Sequence, residues 1–322
     1  MKGKYHVVVQ NNRLRYEFDI KRNITIIRGD SATGKTTLYT MIALAARRGD
    51  SSGVEVRCEK KCRTLEELDW KLVLPTLQDY IIFLDEDNLF LKTDEFARMA
   101  RESDNYFVII TREDLVNLPY SVEEIYGIHS SGKYHDMKRE YNEFYHIYGN
   151  EEISEEVKPD GVLVEDSNSG YDFFRKVCGD LHIKCESAGG KSKIRDALKK
   201  MEQKSVLVIA DGASIGPEMN ELSQYMKVYP DTKCYLPESF EWMILKSGLI
   251  DGKEIQNILQ HPQDFIESQE YFSWERFFTS ILIQYTEKTY LKYHKRSLNQ
   301  VYLHDKMKQA ILDVMEKITF EQ

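Results

Sequence analysis

The stretch GDSATGKT at residues 29–36 has an apolar, strand-like run before it and a helix-like run after it. Its spacing, G-x-x-x-x-G-K-[ST], is that of a glycine-rich loop whose backbone N–H groups surround phosphate oxygens. Glycines allow the bends of such a loop, and the following helix directs the positive end of its dipole at the phosphates. The stretch therefore predicts a phosphate-binding site between a strand and a helix.

Two side chains at the end of this loop indicate a nucleotide phosphate with a metal ion. Lys35 would neutralise charge on β- and γ-phosphates, and the hydroxyl of Thr36 would ligate Mg²⁺. The alternative is a glycine turn with an exposed lysine. It is disfavoured because the pattern and its flanks agree.

A second stretch, YIIFLDE at residues 80–86, is an apolar strand pattern that ends in two acids. Asp85 would hold Mg²⁺ through water, and Glu86 would orient or deprotonate the attacking water. Acids also follow strands in ordinary loops. The glycine-rich loop about 50 residues upstream favours the functional interpretation, because the two motifs together supply the metal site and the base.

A third strand pattern, YFVIIT at residues 106–111, ends in Thr111 and is followed by Arg112. Thr111 would sense the γ-phosphate, and Arg112 would complete the charge clamp in cis or in trans. A polar pair without a functional role is an equal alternative, since no spacing rule fixes these positions. The candidate nucleotide-binding residues are Gly29, Asp30, Ser31, Ala32, Thr33, Gly34, Lys35, Thr36, Thr37, Thr111 and Arg112.

Strand and helix patterns alternate along most of the chain and predict an α/β fold with a mostly parallel sheet. The pattern breaks at NEEISEEVKP, residues 150–159, where we place a domain boundary. It restarts at residue 161 and gives way to an aromatic, helical sequence beyond residue 250. We expect domains at 1–150 and 160–250, with a helical C-terminal extension at 251–322. The predicted strands are 23–28, 80–84, 106–111, 161–165, 183–186, 205–210 and 233–236, and the predicted helices are 36–47, 171–178, 193–201, 218–227 and 239–246.

The composition is that of a globular protein, with 42% hydrophobic and 30% charged residues in 322. The net charge of −9 means that a polyanionic partner would be met by local patches. No apolar run reaches the roughly 18 residues of a membrane span, so we expect a cytoplasmic protein without membrane contact. Five cysteines form an odd set and are expected to be thiols. Cys58 and Cys62 lack the second ligand pair of a zinc site.

With these motifs, residues 1 to about 150 resemble the P-loop ATPases of the ABC/AAA superfamily. The resemblance implies ATP and Mg²⁺ as cofactors and ATP hydrolysis as the activity, with Lys35 and Glu86 as catalytic residues. The sequence departs from ABC proteins in having no LSGGQ-type signature, which puts ATP-sandwich dimerisation in doubt. No N-K-x-D stretch follows the loop, so guanine specificity is unsupported.

Two strands of the second α/β part also end in acids: VLVE at 162–165 and VLVIAD at 206–211. If these strands are parallel neighbours, Glu165 and Asp211 meet at one edge of the sheet. There they would share Mg²⁺ or Mn²⁺, which can activate a nucleophile on a phosphodiester.

On these two stretches, residues 160–250 resemble a TOPRIM domain. The family's usual D-x-D is here Asp211-Gly212-Ala213, which lacks the second acid. Four acids are alternatives for its place, and the sequence does not choose among them: Asp166, Glu218, Glu238 and Glu241.

Two further stretches are open to more than one interpretation. SAGGKSK at 187–193 is either a phosphate-backbone contact or an ordinary loop. Residues 285–308 interleave basic residues with tyrosines, which suits a nucleic-acid backbone and stacked bases. We favour an amphipathic helix whose tyrosines pack and whose lysines are solvated.

An ATPase followed by a TOPRIM unit resembles the order in OLD-family nucleases and related anti-phage ATPase/TOPRIM systems. The resemblance implies an ATPase coupled to a Mg²⁺-dependent module that acts on nucleic acid, in phage defence or DNA maintenance. The alternative is a nucleotide-dependent switch whose TOPRIM-like domain has lost its chemistry and binds a protein or nucleic acid. The partners expected are ATP, a nucleic acid, and either another protein or further copies of this chain.

Overall fold

The computed structural model describes residues 1–29, 34–130, 140–148 and 155–320, and the chain contacts divide into two units. Unit 1 comprises Met1–Tyr148 with His261–Phe272, and unit 2 comprises Gly149–Gln260 with Ser273–Gln322. The region expected to form a separate helical extension is therefore shared between the units. The assignment of 1–150 and 160–250 as functional domains stays a prediction.

Unit 1 is built on one sheet, in which the described residues form nine strands. The strand order is β4-β1-β2-β9-β8-β3-β7-β6-β5. The strands are β1 (Tyr5–Gln10), β2 (Leu14–Ile20), β3 (Ile24–Ile27), β4 (Glu55–Arg57), β5 (Lys61–Thr64), β6 (Tyr80–Leu84), β7 (Tyr106–Ile110), β8 (Ile125–Ser130) and β9 (Glu140–His146). Its helices are α1 (Lys35–Arg48), α2 (Trp70–Val73) and α3 (Asp94–Glu102), and short 3₁₀ helices lie at Gly49–Ser52, Leu74–Thr76, Leu89–Lys92, Val122–Glu124 and Pro262–Asp264.

The sheet is mostly parallel, as the alternating sequence predicts. The pairs β5–β6, β6–β7, β7–β3, β3–β8 and β2–β9 are parallel. The pairs β1–β2, β1–β4 and β8–β9 are antiparallel. Strand β7 is buried along its whole length and β6 along all but its first residue, which explains their uninterrupted apolar sequences.

Unit 2 has a smaller sheet of four parallel strands, in the order β11-β10-β12-β13. From β10 the chain crosses to β11 on one side and then returns to β12 on the other, so the switch point of the topology lies between β10 and β12. The strands are β10 (Gly161–Val164), β11 (Lys184–Ser187), β12 (Val206–Ile209) and β13 (Lys233–Tyr235). The helices are α4 (Ser169–Asp180), α5 (Ile194–Leu198), α6 (Met219–Val228), α7 (Phe240–Lys246), α8 (Lys253–Gln260), α9 (Trp274–Thr286) and α10 (Asp305–Leu312), with 3₁₀ helices at Lys191–Lys193, Gly216–Glu218 and Gln300–Leu303.

The expectation of one amphipathic helix over residues 285–308 is wrong. Helix α9 ends at Thr286, turns follow, and α10 begins at Asp305. In between, buried and exposed residues alternate, with Leu291 and Tyr293 buried on either side of an exposed Lys292. A period of two cannot be satisfied by a helix, which buries every third or fourth residue.

No helix in the described part of the chain is long and apolar enough to cross a membrane.

Helix α9 supports a test of the packing in unit 2, because it packs against α7 and carries both buried and exposed apolar side chains. Phe278 is fully buried, whereas Ile283 is 41% exposed. Phe278→Ala should lower the free energy of unfolding by about 3–5 kcal/mol. Ile283→Ala should lower it by less than about 1 kcal/mol. Urea unfolding followed by circular dichroism measures both, and equal losses would contradict this packing.

Candidate functional site

The glycine-rich loop connects β3, which ends at Ile27, to α1, which begins at Lys35. Gly29 and Gly34 have positive φ angles of 139° and 84°, in the range that side chains other than glycine rarely adopt. The structure therefore requires both glycines of the pattern on backbone grounds. Four predicted phosphate-binding residues lie outside the described residues: Asp30, Ser31, Ala32 and Thr33.

The side chain of Tyr16, from β2, contacts Gly34. The buried Tyr16 hydroxyl donates a hydrogen bond to the Gly34 carbonyl over 2.9 Å. A Cβ atom on Gly34 would lie 2.7 Å from that same hydroxyl oxygen, which is too close for a real contact. Sequence reasoning missed Tyr16 because it comes from a strand 18 residues upstream, and no spacing rule links the two positions.

The start of α1 carries positive charge from Lys35 and from the helix dipole. Lys35 is 6% exposed, and its Nζ donates to the carbonyl of Gly29 over 2.8 Å. Thr36 and Thr37 are exposed, and the first turn contains no acidic residue to offset the helix dipole. A cleft of about 570 Å³ adjoins both threonines.

The two acids after β6 lie in different surroundings. Asp85 is 7% exposed, and its Oδ1 accepts from the N–H of Glu86 over 2.5 Å. Burial raises the pKa of Asp85 above its ordinary value, with the charge of Asp87 adding to the effect. A carboxylate that is costly to ionise in isolation gains from a bound cation. Glu86, in contrast, is exposed.

Strand β7 lies between β3 and β6, which brings Thr111 and Arg112 to the edge that carries the loop and the acids. Arg112 Nε lies 3.6 Å from Oε2 of Glu86. The Oγ1 of Thr111 accepts from the N–H of Glu113 over 3.0 Å, so this hydroxyl is engaged in its own turn. Arg112 therefore lies next to Glu86, the predicted base.

The second pair of predicted residues meets at the switch point of the small sheet. Glu165 and Asp211 follow the adjacent parallel strands β10 and β12. The N–H of Asp211 donates to Oε2 of Glu165 over 3.0 Å. The next residue is necessarily small, because a Cβ on Gly212 would lie 2.4 Å from the carbonyl oxygen of Leu236.

Among the four acids considered for the missing position, the structure brings Glu241 to this pair. Glu241 is 2% exposed and, with Glu165 and Asp211, lines a cavity of about 20 Å³, room for a single water-sized occupant. Asp166 also lines this cavity, but it accepts from the Asn168 side chain over 2.8 Å. The other two do not line that cavity: Glu218 and Glu238.

Sequence reasoning missed Glu275, Tyr293 and Lys295, which come from α9 and the turns after it. Lys295 Nζ is hydrogen-bonded to Glu275 and lies 3.6 Å from Glu241 Oε1. The Tyr293 hydroxyl donates to the same Glu241 oxygen over 2.9 Å. Burial by itself would lower the pKa of Lys295. The negative charges of Glu241 and Glu275 have the larger effect, so the pKa of Lys295 is raised.

Negative charge is crowded at Glu165 and Asp211. Burial raises the pKa of Glu165 to about 7, and the nearby charge of Glu275 adds to it. Burial, followed by the charges of Glu275 and Glu165, raises the pKa of Asp211 well above its ordinary value. Both groups therefore hold protons more tightly than free carboxyls. A bound cation would offset the free energy that ionising both of them costs.

The donor atoms at this place suit one Mg²⁺ or Mn²⁺, which prefer carboxylate oxygen and keep several waters. No cluster of three or more His, Cys, Asp or Glu side chains in the described ranges is arranged to hold a metal ion. A cation here would therefore take Glu165 and Asp211 as its protein ligands.

In the turn at 187–193, Lys191 Nζ donates to the Ser214 carbonyl over 2.9 Å, so this lysine is engaged within the unit.

The contact between Tyr16 and Gly34 makes a double-mutant cycle informative. Gly34→Ala should cost about 1–2 kcal/mol for its backbone conformation plus a steric term. Tyr16→Phe, which removes the hydroxyl, should cost about 1 kcal/mol alone. The double variant should be more stable than the sum of the single losses predicts, because the clashing oxygen is gone.

Gly53 provides the matched control, since its φ is 67° and a Cβ there meets nothing within 4 Å. Gly53→Ala should show the backbone cost alone, with no coupling to Tyr16. Urea unfolding of the set measures the coupling. Strict additivity of Gly34→Ala and Tyr16→Phe would rule out the close contact.

Comparison with known proteins adds no family assignment: no protein-family model matches this chain, and no curated protein matches it.

Proposed function

We propose that this chain binds and hydrolyses ATP and couples the nucleotide state to a Mg²⁺-dependent TOPRIM-like module that acts on nucleic acid. Phage defence or DNA maintenance is the setting we propose for it. The observation that supports the proposal most is the loop itself: its two positive-φ glycines flank residues between a buried strand and a helix whose first turn lacks acids. This is the arrangement that backbone binding of phosphates requires.

In the proposed ATPase, each side chain has one task. Mg²⁺–ATP supplies the phosphoanhydride bond and the neutralising metal charge. Lys35 would leave the Gly29 carbonyl to bind phosphate oxygen, and Thr36 and Asp85 would hold the metal. Glu86 would orient the attacking water and accept its proton, with Arg112 3.6 Å away to stabilise developing negative charge. Thr111 is proposed as the γ-phosphate sensor.

Space for the rest of the nucleotide supports the same proposal. The cleft of about 570 Å³ beside Thr36 and Thr37 is lined further by Asn11 and Met41. A volume of this size is typical of small-molecule sites. The amide and thioether side chains would give a nucleoside both a hydrogen-bonding and an apolar surface.

In unit 2, Glu165 and Asp211 would hold one divalent cation. The cation supplies a Lewis acid and a water of lowered pKa when bound. Glu165 and Asp211 would fix the position of the cation at the carboxyl ends of the strands, where a phosphodiester could approach. Support comes from their adjacency at the switch point and from their raised pKa values.

The alternative function, a nucleotide-dependent switch with an inactive second unit, is favoured by one observation. Glu241 and Glu275, the acids that could complete a larger metal site, are both engaged by Lys295. With Ala213 at the usual place of a second Asp, Glu165 and Asp211 are the two carboxylates that we propose for a cation. The two functions differ in whether unit 2 binds Mn²⁺ at all.

The nucleotide proposal predicts opposite effects at two positions. Lys35→Ala should abolish measurable ATP binding, because it removes the charge that faces the phosphates. Glu86→Gln should keep ATP affinity and lower the rate of hydrolysis by about 10²–10⁴, the usual contribution of a general base. Isothermal titration calorimetry and a phosphate-release assay measure the two quantities.

Arg48→Ala is the control for loss of one cation from α1, since Arg48 is exposed at the opposite end of that helix. It should change neither quantity. Equal ATP affinity in Lys35→Ala and the wild type would sink the proposal for unit 1.

The metal proposal predicts a pH-dependent stabilisation by Mn²⁺, measured in a Lys35→Ala background that holds no nucleotide metal. The raised pKa of Glu165, about 7, means that its proton stabilises the fold at low pH, and that this contribution is lost as pH rises from about 4 through 7. The gain from Mn²⁺ should therefore be larger at pH 8 than at pH 6. At 100 times its Kd the metal adds about 2.7 kcal/mol, equivalent to several degrees in Tm.

Adding Glu165→Ala and Asp211→Ala should cancel this shift and any nuclease activity, while ATP hydrolysis in the protein with Lys35 intact persists. Asp196→Ala, an exposed carboxylate of the same unit, should leave the shift unchanged. A shift that survives the double change would place the cation elsewhere and favour the switch.

A further inference from the structure

The ammonium of Lys295 lies inside the carboxylate cluster of unit 2. Its Nζ is hydrogen-bonded to Glu275 and lies 3.6 Å from Oε1 of Glu241. Glu241 is nearly fully buried, and Glu275 is 22% exposed. A buried carboxylate of this kind is strongly unfavourable unless a positive charge lies next to it.

The position of Lys295 is fixed through its backbone. The N–H of Ser169, the first residue of α4, donates to the carbonyl of Lys295 over 3.0 Å. The fully buried Ser169 hydroxyl lies 2.8 Å from that carbonyl and 2.6 Å from the carbonyl of His294. The segment that carries the ammonium is thus anchored to the start of α4, shortly after Glu165 in the chain.

Tyr293 completes the enclosure of Glu241. Its hydroxyl donates over 2.9 Å to the same carboxylate oxygen that faces Lys295, and the side chain is 2% exposed. Alternation along the strand-like segment directs Tyr293 and Lys295 inward, while His294 between them is exposed. Tyr293 and Lys295 therefore both face the same oxygen of Glu241.

The four carboxylates differ in how closely they approach this ammonium. Glu241 and Glu275 form ion pairs with it, whereas no Lys or Arg side chain in the described ranges forms an ion pair with Glu165 or Asp211, although the charge of Lys295 also acts on Asp211. The ammonium offsets part of the charge of Glu241 and Glu275. Glu165 and Asp211 are adjacent carboxyls and line, with Glu241 and Lys295, a cavity that has room for one small occupant.

We infer that Lys295 is a built-in cation that limits this site to a single divalent metal ion, held by Glu165 and Asp211. The inference rests on the proposed metal function of unit 2 and specifies its stoichiometry. A second ion would need Glu241 and Glu275 as ligands, and it would have to displace an ammonium that its own charge repels. Lys295 thereby determines how many metal ions the site takes. Its ammonium occupies the place that a second ion would need.

The test counts the Mn²⁺ ions bound per chain by electron paramagnetic resonance, in a Lys35→Ala background without nucleotide. The parent should bind one ion. Lys295→Met should bind two, because Glu241 and Glu275 lose their counter-charge and become ligands. Lys295→Arg, which keeps the positive charge, should stay at one.

The outcomes separate the inference from the function beneath it. A parent that binds no ion in unit 2 would overturn the metal proposal itself. A parent with one ion and a folded Lys295→Met variant that also binds one would overturn the inference alone, as would a parent that binds two.

Lys295→Met leaves uncompensated charge and could fail to fold without metal. It is therefore also purified in Mn²⁺, and its metal content is then measured by atomic emission. The double variant Glu241→Gln/Lys295→Met removes one charge of each sign and keeps the fold testable. It should bind one ion, and two ions in it would contradict the inference.

Discussion

Hydrogen bonding between parallel strands is the constraint on which both units depend. Residues that follow adjacent parallel strands are carried to the same edge of a sheet, however far apart they lie in sequence. Asp211 follows Glu165 by 46 residues, yet its N–H donates to the Glu165 carboxylate. The same constraint places Arg112 beside Glu86 in unit 1. In both sheets the candidate side chains therefore meet at strand ends, and the strands themselves serve as a rigid support.

Much of this edge could be predicted from the sequence, because strand ends are local signals. The apolar run 80–84 coincides with β6, and the run 161–165 differs from β10 by one residue. The contributions of Tyr16, Glu275 and Lys295 could not be predicted. Each comes from an element that is distant in sequence and approaches only through tertiary packing. A lysine within an alternating, partly buried segment has the same local pattern whether its ammonium meets solvent or a buried glutamate.

The failure of the predicted helix at 285–308 has the same origin. Tyrosines among lysines suit an amphipathic helix on propensity alone, since both residue types are common on helix surfaces. In the folded chain, Thr286 Oγ1 accepts from the N–H of Tyr293, and the Tyr302 hydroxyl donates to the Leu291 carbonyl. These bonds, which span 7 and 11 residues, satisfy backbone groups that a helix would otherwise pair. Hydrogen bonds of the folded chain thus outweigh the helix propensity of this segment, which carries Lys295.

The return of residues 261–272 to unit 1 has a consequence for the order of synthesis. The Asn23 side chain donates to the carbonyl of Ser268 over 3.0 Å, and the N–H of Gly3 donates to the carbonyl of Gln263 over 2.8 Å. These partners leave the ribosome only after both sheets have been translated. Unit 1 is therefore incomplete during elongation, while every strand of unit 2 has already emerged. Unit 1, whose candidate phosphate-binding loop is translated early, is thus completed only once residues 261–272 have been made.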